Sequence, residues 1–321
     1  MTGKLLIAFA LSIGLVIALM PKWIDYLKGI SFNQNVSEYS LQEYKDKAKT
    51  PIMGGVLFIL VPVIVTCILT LLTHDFNMKV LIVLLVFTGY GAIGFTDDWL
   101  IVVRKNNDGL SPMHKFLMQA ALAVIFYIVY RSHADLHVTI PLTSAWINLG
   151  PFYALLIFFM FTGSSNAVNL TDGMDGLAAG CTVISLIPFL IYAMQAHEAG
   201  IAVFIAALLG GLCGYLKFNI KPAKIFMGDT GSLALGAALA ALAMVLKKEL
   251  ALVLIGGVFV IETLCVLIQQ ISVRTIHKKV FIYTPIHYAF VLKGMGEKQV
   301  VRMFWAAAAV LAAVGFLVGL Y

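Results

Sequence analysis

The chain has 321 residues, 61% of them hydrophobic and 12% charged, and a mean hydropathy of +0.96. That composition belongs to an integral membrane protein and excludes a soluble globular one; the longest polar stretch, 21–50, is too short to fold alone. The net charge of +6 implies no nucleic-acid partner, because basic loops facing an anionic lipid bilayer account for it.

Apolar runs of spanning length fall at 3–20, 53–73, 79–96, 116–131 and 149–165, and again at 176–195, 200–217, 231–247, 250–270 and 303–321. They predict an all-α integral membrane protein of about ten transmembrane helices, with 1–321 forming a single polytopic domain. The first run has only Lys4 before it, more charge after it and no small-residue cleavage pattern, so it reads as a retained span. Cys67, Cys181, Cys213 and Cys265 lie inside apolar runs without metal-ligand spacing, and read as core residues with neither disulfide nor zinc. Seventeen of the 22 Lys and Arg fall in 21–50, 97–115, 164–176, 217–230 and 271–303. The positive-inside rule puts those segments in the cytoplasm and both termini outside it. The acidic clusters share that face, which argues against a transporter with ionisable groups at mid-membrane and repeat symmetry.

Five motifs stand out along the chain. Lys45, Lys47 and Lys49 precede Thr50-Pro51-Ile52-Met53-Gly54-Gly55, a basic juxtamembrane stretch and helix start that suits lipid headgroups or substrate equally. Asp97 and Asp98 end the third run. Adjacent helical residues point about 100° apart, so one carboxylate is expected to face a metal or substrate and the other a basic neighbour; the plainer reading is an interfacial charge pair beside Trp99. Carboxylates near hydrocarbon are costly and usually functional. In Asn166-Ala167-Val168-Asn169-Leu170-Thr171-Asp172-Gly173-Met174-Asp175-Gly176, the polar residues Asn169, Asp172 and Asp175 share one side of a helix or turn, with no Lys or Arg nearby in sequence. Gly173 and Gly176 allow close approach of a ligand.

The fourth motif runs from Asn219 through Lys221, Lys224 and Phe226 to Met227-Gly228-Asp229-Thr230-Gly231-Ser232, at the start of the eighth run. Open amides at a helix start make a nest for phosphate, and Asp229 within it reads as a metal ligand or a cap. The last basic loop holds Pro285-Ile286-His287-Tyr288. Glu262, inside the ninth run, reads as a structural partner to a polar group in the bundle.

Taken together these segments resemble the phospho-N-acetylmuramoyl-pentapeptide-transferase family, within the polyprenyl-phosphate hexosamine-1-phosphate transferase superfamily. The matching stretches are 50–55, 94–98, 166–176, 219–232, 259–264 and 285–287, spread over nearly the whole chain. The resemblance implies a multi-pass enzyme of the bacterial cytoplasmic membrane with its active site facing the cytoplasm. It would move phospho-MurNAc-pentapeptide from UDP-MurNAc-pentapeptide to undecaprenyl phosphate, giving lipid I and UMP in the first membrane step of peptidoglycan synthesis. It implies Mg²⁺ as cofactor and a homodimer. Residue by residue, it implies Asp229 as the magnesium ligand, Asp97 as the residue activating the lipid phosphate, and Asp98 and His287 as further catalytic residues. It likewise implies Asn169 and Asp172 as members of the polar substrate site, and Asp175, Asn219 and Phe226 as a uridine pocket. Lys47, Lys105 and Lys115 are the matching substrate-binding lysines.

The departures are local. Where the family has three successive histidines and then Phe-Glu, this chain has His287-Tyr288-Ala289-Phe290-Val291; Lys49, Ile52 and Met113 replace its Gly, Thr and Lys. Two rivals stand beside this reading. One is a sister transferase using UDP-GlcNAc or another UDP-hexosamine, and the other is a non-catalytic nucleotide-sugar or lipid carrier.

Overall fold

The computed structural model describes residues 1–30, 50–104, 108–143 and 145–320, and among them ten helices are long and apolar enough to cross a membrane. Lys45, Lys47, Lys49 and Lys105 lie outside the described residues. In chain order the helices are α1 (Thr2–Ile30), α2 (Gly55–Leu72), α3 (Met78–Arg104), α4 (Pro112–Tyr130), α5 (Tyr153–Thr171), α6 (Leu177–Gln195), α7 (Ala199–Asn219), α8 (Gly228–Val245), α9 (Glu249–Ile255), α10 (Gly257–Ile276), α11 (Ile286–Leu292) and α12 (Glu297–Val318). A two-stranded antiparallel hairpin, β1 (His137–Thr139) with β2 (Trp146–Asn148), pairs Val138 with Ile147.

The predicted spans are all present, with two instructive differences. Several helices outrun their apolar stretch: α1 continues to Ile30, α3 to Arg104 and α5 to Thr171, and α12 starts at Glu297. Hydropathy marks only what suits lipid, whereas helical hydrogen bonding continues while polar side chains find protein partners. The run 250–270 is not one helix. Its consecutive glycines Gly256 and Gly257 interrupt it, Gly256 adopting φ −92° and ψ 21°, because glycine has the least to lose by leaving the helix.

The helices differ sharply in burial. The most apolar window of α8 is 89% buried and that of α4 only 22%, so α8 is the axis of the bundle and α4 lies at its edge. Helix α8 packs against α2, α3, α5, α6 and α9, as expected of a helix apolar on every side. Small residues let its neighbours in. A methyl group on Gly94 of α3 would sit 2.0 Å from the carbonyl oxygen of Asp229.

The ends of the bundle are chemically unlike. At the end carrying the hairpin, basic groups have local partners: Lys4 pairs with Asp75 at 2.6 Å, Lys79 with Glu198, and the Lys247 ammonium lies 5.2 Å and 5.1 Å from the Tyr130 and Tyr153 ring centroids. Lys4 and Thr73 hold the Asp75 carboxyl below its ordinary value by hydrogen bonding. The other end collects the acidic motifs.

Candidate active site

Three carboxylates converge where α3 meets the start of α8. Oxygens of Asp97, Asp98 and Asp229 all lie within 4.8 Å of one another. Asp97 and Asp98 are 6% and 3% exposed, buried in protein inside α3 rather than marking its end.

The two adjacent aspartates point to different partners. Asp98 Oδ1 accepts from Asp229 N (3.1 Å), and Oδ2 accepts from Thr230 N (3.0 Å) and Thr230 Oγ1 (2.6 Å). Asp98 therefore caps α8 from a neighbouring helix, satisfying first-turn amides that have no intrahelical partner. This corrects the expectation of a nest open to phosphate: those two amides are filled by Asp98. Gly228 makes it possible, with φ +71° and a position where a methyl group would meet Asp98 Oδ2 at 2.2 Å. Asp229 does not cap its own helix; its carboxylate turns to the site.

Asp97 faces the other way. Its Oδ1 accepts from Leu110 N (2.8 Å) and lies 3.1 Å from Lys115 Nζ. Lys115, in the first turn of α4, also reaches Asp229 Oδ2 at 2.5 Å. Asn169, near the end of α5, donates to Asp229 Oδ1 (2.6 Å) and Ser232 Oγ (2.9 Å). Asp97, Asp98, Lys115, Asn169 and Asp229 thus form one connected cluster.

The expected uridine residues gather beside it. Asp175 Oδ2 accepts from Ala223 N at 3.0 Å, and Asn219 spans two backbones, accepting from Gly176 N (3.0 Å) and donating to Ile225 O (2.9 Å). Phe226 is half-buried, in a segment whose backbone pairs with 51–54: Phe226 N donates to Pro51 O (2.9 Å) and Gly54 N to Phe226 O (2.8 Å). Asp172 follows the last turn of α5 and is half-buried. Glu297 went unnoticed in the sequence, yet it accepts from Asp175 N (3.0 Å) and pairs with Lys221 Nζ (2.5 Å). The helix-start acid in a basic loop was its only signal.

His287, at the start of α11, is completely buried against Glu262 of α10. The next residue, Tyr288, stands where the family's second histidine would be. Its hydroxyl donates to Gly173 O at 3.0 Å, and burial pushes that hydroxyl's pKa well up, so it stays a donor. Away from the acids, an apolar cavity of about 240 Å³ runs between α5, α8, α9 and α10, lined by Phe159, Gly163, Val168, Leu239, Val253 and Phe259. Val168, in that lining, immediately precedes Asn169 in α5.

Three carboxylates are hard oxygen donors of the kind Mg²⁺ prefers, and the ammonium of Lys115 already lies where two of them converge. The residues fit a divalent cation.

The sequence profile of Glycosyl transferase family 4 matches residues 80–247. A phospho-N-acetylmuramoyl-pentapeptide-transferase of Bacillus mycoides (strain KBAB4) is 42% identical over 316 residues, covering 98% of this chain and 96% of the relative. Proteins of the same name from Bacillus thuringiensis (strain Al Hakam) and Bacillus cereus (strain AH187) match with the same identity and coverage.

Proposed function

This chain belongs to the phospho-N-acetylmuramoyl-pentapeptide-transferase family, and from that premise we propose how its acidic site works and how it faces the membrane. The protein is a multi-pass membrane transferase that moves phospho-MurNAc-pentapeptide from UDP-MurNAc-pentapeptide to a polyprenyl phosphate, releasing UMP. The full-length match to muramoyl transferases sets aside the UDP-GlcNAc and carrier readings.

The observation that carries the site reading is the convergence of Asp97, Asp98 and Asp229 around one point, with Lys115 and Asn169 holding Asp229. Two anions must meet here. A phosphate monoester has a second pKa of about 6, so undecaprenyl phosphate arrives mostly as a dianion and needs little deprotonation. Its oxygen attacks the β-phosphorus of UDP-MurNAc-pentapeptide, the bond to the UMP oxygen breaks, and UMP leaves with the electron pair. One phosphoanhydride replaces another, so the barrier lies in approach and charge. Lys115 lowers the repulsion, and Asp97, fixed by Leu110 N and Lys115, orients the acceptor. Asp98 keeps Asp229 in place by capping α8. Mg²⁺ held by Asp229 with Asp97 and Asp98 would neutralise phosphate charge on both the donor and the leaving group.

The acceptor's tail is assigned to the apolar cavity between α5 and the broken α9–α10 pair, since an isoprenoid needs a dry channel. Asp175, Asn219 and Phe226 are assigned to the uridine, with Lys47 and Lys105 as further phosphate contacts. The excess of Lys and Arg in the loops at this end supports a cytoplasmic orientation for the site, with the termini outside. The homodimer is carried over from the family and is testable by light scattering in detergent.

The deciding experiment is UMP release by the purified protein in detergent, supplied with undecaprenyl phosphate and Mg²⁺. UDP-MurNAc-pentapeptide should support release and UDP-GlcNAc should not, and Asp229→Asn should abolish it. Release that survives both Asp229→Asn and metal removal would refute the assignment of the site.

A further inference from the structure

His287 is held from both its backbone and its ring by one side chain. Glu262 Oε2 accepts from Ile286 N at 2.8 Å. Its Oε1 accepts from His287 N at 3.2 Å and lies 2.9 Å from His287 Nδ1. Glu262 and His287 are both completely buried. A carboxylate that already takes two backbone N–H groups is an acceptor, so the third contact requires a proton on Nδ1.

The opposite ring nitrogen is in another situation. His287 Nε2 is buried with no hydrogen-bond partner. It is pressed against Gly173, where a methyl group would come within 2.3 Å of it. Gly173 follows Asp172 on the segment whose Asn169 grips Asp229. The ring thus faces the acidic loop with the one atom that Glu262 leaves unsaturated. An orphaned polar atom in a buried position is expensive, and the fold keeps it there.

We propose that Glu262 is a positioning residue for the transfer: it locks His287 as the Nδ1–H tautomer, so that Nε2 is the ring atom presented at the Asp172–Gly173 turn. With Nδ1–H bonded to Glu262, any hydrogen bond the ring accepts at that turn goes to Nε2. The same carboxylate binds the first two amides of α11, so ring orientation and tautomer are set together. This assignment rests on the transferase reading given above.

The test uses full-length protein labelled with ¹⁵N-histidine, the His287 signal being assigned by its absence in His287→Asn. At neutral pH the His287 ring should show a protonated Nδ1 and a bare Nε2. Glu262→Gln keeps the size of the side chain but offers an N–H as well as an oxygen, and should move the ring toward the other tautomer. Its kcat for UMP release should fall roughly 10- to 100-fold, the loss typical when a supporting partner is removed, with the KM of both substrates little changed. A wild-type ring protonated on Nε2 would overturn the proposal, as would a Glu262→Gln enzyme with unchanged kcat. If the wild-type protein releases no UMP at all, the transferase reading fails, and the ring spectrum still decides the tautomer.

Discussion

Replacing Asp98 by Asn separates helix capping from chemistry. Asp98 accepts three hydrogen bonds, from Asp229 N, Thr230 N and Thr230 Oγ1. An asparagine has one acceptor oxygen where the carboxylate has two. The amide keeps most by leaving its oxygen with the two Thr230 donors, which turns its NH₂ toward Asp229 N. One buried backbone amide is then stranded, at about 1–3 kcal/mol. Loss of negative charge at a helix start adds about 0.3–1 kcal/mol. Asp98→Asn should therefore be destabilised by roughly 1–4 kcal/mol, read as a lowered midpoint of thermal unfolding in detergent. UMP release should fall with it, because the displaced amide belongs to Asp229 itself and Asp98 is one of the three carboxylates assigned to Mg²⁺. Asp97→Asn can keep its one oxygen on both Leu110 N and Lys115 Nζ, which share Oδ1 of the carboxylate, and it strands no amide of α8, so it should lose activity with a smaller loss of stability. If Asp98→Asn unfolds no earlier than Asp97→Asn, the capping role assigned to Asp98 is wrong.

Other outcomes follow from the same geometry. Lys115→Gln leaves Asp97 and Asp229 facing each other without their shared ammonium; kcat should drop about 10²- to 10³-fold, as when a single charge-stabilising donor is removed, in steady-state UMP assays. Gly173→Ala drives a methyl group to 2.3 Å from His287 Nε2 and 2.7 Å from Tyr288 Oη; overpacking of this kind costs about 1–3 kcal/mol, visible as earlier unfolding together with lost turnover. Gly163→Leu adds bulk to the apolar cavity at a position where a methyl group meets nothing within 4 Å; it should raise KM for undecaprenyl phosphate about tenfold and leave KM for the nucleotide-sugar alone. A chelator should stop UMP release and added Mg²⁺ restore it, while isothermal titration of Asp229→Asn should show weakened Mg²⁺ binding.

Span number was legible because lipid imposes a length and a composition that any spanning helix must meet. Span ends were less so. Arg104, Thr171 and Glu297 sit in helices that hydropathy alone stops short of: Arg104 and Thr171 bond locally, to Asp108 O and Ala167 O, while the partners of Glu297, Asp175 N and Lys221 Nζ, come from distant sequence. The acidic motifs could be read because glycines and uncompensated carboxylates are conspicuous in an apolar chain. Their division of labour could not. Nothing in Asp97-Asp98 says that Asp98 will cap a helix that begins at Gly228. Glu262 was correctly expected to have a polar partner inside the bundle, but identifying it as His287 needed the fold that brings α10 and α11 together. The break at Gly256 was written in the sequence as a glycine pair, in a run otherwise apolar enough to pass for one helix.

The all-round burial of α8 bears on how the protein is made. Its 18 residues include Asp229 and are rich in alanine and glycine, and its mean hydropathy of 1.4 is well below the 2.8 of α2. Such a segment partitions weakly into lipid by itself, because insertion is driven by residues such as leucine and phenylalanine. Helix α8 should therefore depend on α2, α3 and α5, already synthesised, to receive it during biogenesis. Substitutions on the lining of that slot would then lower the amount of protein in the membrane before they altered the rate of any copy that reached it.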